Sequence, residues 1–140
     1  MKLTAERSSA VYRLDVWEED CYLYAHVEGE RNRESAAALV RAVGAACIRH
    51  NRKRVLADIR DYHGEMGVYD TFSIPVTVFP AVREFSELER IAVVDCEERS
   101  SRIELLSKIA RLNGYNLRGF IDLEDAMEWV AAGARTKSDS

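Results

Sequence analysis

Two short apolar runs, RVLADIR at 54–60 and RIAVVD at 90–95, constrain the fold of this chain more than any other feature. Both are rich in β-branched residues, and both are too short to be the core of a helix. A run apolar on both faces belongs in the middle of a parallel sheet, where helices cover the strands. Helical periodicity surrounds them. In SAAALVRAVGAACIRH, Leu39, Val40, Val43, Ala46, Cys47 and His50 make one helical stripe. In SRIELLSKIARLNG, Ile103, Leu106, Ile109 and Ala110 turn inward and Gly114 ends the helix. YNLRGFI is a last strand. DLEDAMEWVAAG is a last helix, capped by Asp122 and stopped by Gly133. Alternation of this kind predicts an α/β fold with right-handed crossovers.

The N-terminal part has a different period. AVYRLDVW at 10–17 and CYLYAHVEG at 21–29 alternate residue by residue, and the short polar link EED makes them a hairpin. The expectation is a single domain over residues 1–133: a mostly parallel sheet with an antiparallel N-terminal hairpin strand and four helices. Residues 134–140 are expected to be a disordered polar tail. Hairpin pairing places Trp17, Tyr22 and Tyr24 on one face, opposite Leu14, Val16 and Leu23. If that face meets water, its aromatics mark an interaction surface, with a two-fold homodimer the simplest form. If a helix covers it, the same rings are core.

Between the two central runs lies ADIRDYHGEMGVYDT, residues 57–71. It follows a parallel strand, and ligands of open α/β sheets gather beyond the carboxyl ends of such strands. Phe72, Val76, Phe79 and Val82 then recur at helical spacing. Pro75 and Pro80 lack the amide donor, so a helix starting near Ser73 with a kink or end at Pro80 is expected. Phe72, Ile74, Phe79 and Val82 are the candidate lining of an apolar pocket.

Net charge −4 speaks against nucleic acid as a partner, and the one dense basic run, IRHNRKR at 48–54, reads as a helix C-terminus that favours cations. Three widely spaced cysteines, Cys21, Cys47 and Cys96, without a C-x-x-C pair give neither a disulfide framework nor a zinc site. The first ten residues lack the apolar core of a signal peptide, and no apolar run is long enough to span a membrane, so a cytoplasmic location is expected.

No nucleophile elbow, P-loop or dinucleotide-binding motif occurs. Asp58, Asp61, His63 and Glu65 have the oxygen and imidazole atoms that divalent ions favour. Without a recognised metal spacing they read first as solvated loop polarity, and no cofactor or metal is expected.

RVLADIR, the irregular loop and helix, RIAVVD, and LNGYNLRGFIDLEDAMEWV together resemble the SpoIIAA-like branch of the STAS superfamily, whose fold is related to the CRAL–TRIO lipid-binding domains. Phe120, Asp122, Ala126 and Trp129 carry the most specific part of the resemblance, and the matching segments span most of residues 11–132. In the anti-sigma-factor antagonists of that superfamily, a serine in the turn after the central strand is phosphorylated by a partner kinase. The resemblance would carry this role to Thr71, next to Asp70, although Phe72 follows where that family has a small residue.

Three functions follow as expectations. The first is a non-catalytic regulatory or interaction module, its partner another protein or a second copy, acting through residues 60–72 and the following helix, with Asp58, Asp61, His63 and Asp70 as its switch residues. The second is binding of a lipid or other amphipathic small molecule in the pocket near residues 72–85. The third, an enzyme using the Asp/His/Glu loop, is the weakest.

Overall fold

The computed structural model describes residues 3–8 and 12–134. Residues 135–140 of the expected tail lie outside the described residues. Six strands form one sheet: β1 (Leu3–Ser8), β2 (Tyr12–Glu18), β3 (Leu23–Glu30), β4 (Arg54–His63), β5 (Arg90–Val94) and β6 (Leu117–Phe120), in the order β1-β2-β3-β4-β5-β6. β1, β2 and β3 pair antiparallel, and β3 to β6 pair parallel. The hairpin pairs as its alternation requires, with Trp17 opposite Tyr24 and Val16 opposite Ala25. β1 is an addition to the expected sheet. Its sequence, LTAERS, carries little apolar signal, and backbone pairing with β2 makes it a strand.

The helical elements are α1 (Arg33–Arg49), α2 (Val68–Ser73), α3 (Phe79–Ala81), α4 (Ser100–Leu112) and α5 (Leu123–Ala131). α1 starts at a reciprocal cap: Asn32 Oδ1 accepts from the Ser35 amide, and Ser35 Oγ accepts from the Asn32 amide. α1, the 68–87 segment and α4 pack on one sheet face, over Leu14, Leu23, Val27, Val55, Ile91 and Leu117. α5 packs on the other, over Tyr22, Leu56, Ala92 and Val94. Two arginines from the sheet hold its C-terminal end. Arg54 donates to the carbonyls of Val130 and Ala132, and Arg90 donates to that of Trp129.

The region around the prolines departs from expectation. β4 runs on to His63, and α2 begins at Val68 rather than near Ser73, so the connection is only residues 64–67. α2 and α3 are joined by a π-helical turn, Ile74–Val78, in which the Phe79 amide reaches the Ile74 carbonyl five residues back. Pro75 cannot donate to the carbonyl four residues before it, and the wider turn absorbs that loss without ending the helix. Pro80 lies inside α3.

Candidate functional site

An apolar cavity of about 420 Å³ lies between the sheet and the helices of the first face. Its walls include Leu39 and Val43 of α1, Val55 of β4, Ile74, Phe79, and Leu117 of β6. A site of this volume is within the usual range for small-molecule pockets. Its charged lining side chains come from the end of the sheet where the parallel strands finish: Arg31 after β3, Glu65 after β4, and Glu98, Arg99 and Arg102 after β5.

Asp95, fully buried just after β5, organises that end. Arg31 lies 3.0 Å from one of its carboxylate oxygens, and Arg99 lies 2.8 Å from the other. Arg31 also donates to the carbonyls of Tyr62 and Ile59 and stacks over the Tyr62 ring at 5.1 Å. Arg99 also donates to the Arg60 carbonyl. This network ties the starts of α1 and α4 to the end of β4. Gly64 closes it: its φ is +133°, and a Cβ there would collide with the Arg31 carbonyl.

The residues expected to act together are dispersed. Asp58 is buried on the α5 face, accepting from Tyr24 at 2.5 Å and from Arg60 at 2.9 and 2.7 Å. Burial raises the Asp58 carboxyl, but the bonds from Arg60 and Tyr24 outweigh it and hold the group below the usual carboxylate range. Asp61 pairs with His26 at 2.9 Å in an exposed position. His63 and Glu65 are exposed, and Asp70 is half-buried on α2. Among the described residues, no group of three or more His, Cys, Asp and Glu side chains is placed to hold a metal.

Thr71 is the buried residue of α2, at 7% exposure, and it lines the cavity. The residue expected as phosphoacceptor is therefore buried in this conformation rather than displayed on the surface of α2. The four pocket candidates divide. Ile74 and Phe79 line the cavity; Val82 is buried core, near Gly44; Phe72 is 47% exposed and does not line the cavity. Phe72 instead joins Val68 and Tyr69, 52% and 90% exposed, in an apolar set on α2.

The aromatic face of the hairpin is partly covered. Trp17 and Tyr24 meet edge to face at 5.5 Å, but Tyr22 is buried beneath α5, where burial and nearby Glu19 push its hydroxyl up to about 12. Of the two readings of this face, the covered one describes Tyr22, because the helix after β6 crosses to this side. The basic run is occupied as well: Arg52 donates to the Glu19 carbonyl, and His50 pairs with Glu18 at 2.6 Å. Cys47 is core, its thiol pushed up to about 12 by burial.

Arg31, Asp95, Arg99 and Arg102 were not among the expected site residues. One signal was available: an aspartate ending a strand as apolar as RIAVVD must be paired, and Arg99 stands four residues later. Arg31, far away in sequence, gave none.

No helix among the described residues is long and apolar enough to cross a membrane. The structure is similar to that of an anti-sigma factor antagonist from Mycobacterium paratuberculosis, at 20% identity and a TM-score of 0.57, covering 88% of this chain and 97% of that one. It is also similar to an uncharacterised DUF3478-family protein with a SpoIIAA-like fold from Shewanella loihica PV-4, at 16% identity and a TM-score of 0.54, covering 89% and 97%. These likenesses show the fold. No curated protein matches the sequence. The SpoIIAA-like family model matches residues 22–131, and the chain belongs to the SpoIIAA-like family.

Proposed function

We propose that this protein is a non-catalytic regulatory module that binds a protein partner through residues 60–72 and the helix that follows. The observation that carries the reading is the exposure of Val68, Tyr69 and Phe72 together on α2. Large apolar side chains gathered on one short exposed element are costly in water and suit a contact surface. The fold shared with an anti-sigma factor antagonist supports a protein as the partner. Val68→Ser with Tyr69→Asp tests it. Both side chains are exposed, so the variant should keep the wild-type denaturation midpoint and lose a partner that co-purifies with the wild type. Unchanged capture by a folded variant contradicts the reading.

A second reading is favoured by the cavity: binding of an amphipathic small molecule between the sheet and the 68–81 segment. Native mass spectrometry of freshly purified protein tests it. A discrete added mass, lost on denaturation, supports a ligand. The bare chain mass, together with no uptake of added amphiphiles, contradicts it. The two readings share one element, since α2 has Thr71 on the cavity and Tyr69 in solvent.

A further inference from the structure

We infer that the cavity takes a single-chain amphiphile with an anionic head, its chain lying along the sheet and its head at the arginine edge. This rests on the reading of the cavity as a ligand site. The first argument is the cavity's polarity along its length. Its charged lining side chains all follow the carboxyl ends of the parallel strands, whereas Val55, Ile91 and Leu117 lie at or near the strands' starts. A site polar at one end and apolar along the rest suits a molecule built the same way.

The second argument is charge. Arg31 and Arg99 share the one buried carboxylate of Asp95, which leaves a positive charge in excess in the buried part of the edge. Arg102 adds another. Its Nε donates to the Met66 carbonyl at 3.2 Å, and no carboxylate pairs with it among the described residues. Glu65 and Glu98 also border the cavity; like Arg102 they are exposed, so water screens all three alike and the buried excess comes from Arg31 and Arg99 against Asp95. Arg102 is free to meet an incoming anion, and its Nη atoms present donors suited to a carboxylate or a phosphate.

Isothermal titration with myristate, myristyl phosphate and myristyl alcohol, each below its aggregation threshold, tests the inference. At least one of the two anions should bind about tenfold or more tightly than the alcohol. The tighter of the two identifies the head as carboxylate or phosphate. Arg102→Glu, at an exposed position, should abolish the preference for the anions over the alcohol. Equal affinities for all three compounds would overturn the anionic head while leaving the cavity as an apolar ligand site. Binding of none would overturn both. A preference that survives Arg102→Glu and Arg102→Gln would place the anion elsewhere and overturn the assignment to this edge.

Discussion

The guanidinium of Arg31 stands 3.0 Å from the buried carboxylate of Asp95, joining the start of α1 to the end of β5 at the rim of the cavity. Removing one partner leaves an uncompensated charge out of water, which typically costs about 3–5 kcal/mol. Asp95→Ala should therefore lower stability by that order in urea denaturation, since Arg31 and Arg99 both lose their carboxylate. A loss below about 1 kcal/mol, the scale of a surface pair, would show that the network does not hold the rim together.

Asp58 makes a pH-dependent contribution with a definite sign. Its carboxyl is held below its ordinary value in the folded chain, despite the opposing effect of burial. The stability it adds is therefore present above the unfolded value, near pH 4, and is lost as the pH falls through the lower folded value. Urea midpoints of wild type and Asp58→Asn should be furthest apart at neutral pH and converge below about pH 4. A gap that stays constant down to pH 3 would contradict the arrangement around Asp58.

Gly119 tests the packing of α4 on the sheet. A Cβ at this position would collide with the Ile103 side chain. Gly119→Ala should cost about 1–3 kcal/mol by overpacking. Combined with Ile103→Ala, the loss should be less than the sum of the two single changes, because the clash is gone. Strict additivity would mean that the two residues do not meet.

Much of this architecture can be read from periodicity. The alternation in β2 and β3 sets the hairpin register, and RVLADIR and RIAVVD name the central strands because both faces of each are apolar. β1 escaped because a strand with few apolar residues leaves no pattern. Tyr22 was assigned to the correct side of the sheet with core and surface both open, since parity fixes the face and only the path of α5 decides what covers it. The start of α2 was masked by Pro75, whose lost hydrogen bond is absorbed by a π turn that no local rule announces. The cavity's arginine edge draws on residues 31, 95, 99 and 102, and sequence spacing reveals only the pair four residues apart.

The central claim is that α2 is a contact surface, and site-specific photo-cross-linking tests it most directly. A benzophenone side chain at position 69, which is 90% exposed, should capture one discrete partner in the cells that make the protein. The same group at exposed Glu104 on α4 should not. Capture confined to position 69 is the predicted result. No capture at position 69, or the same products from both positions, would contradict it.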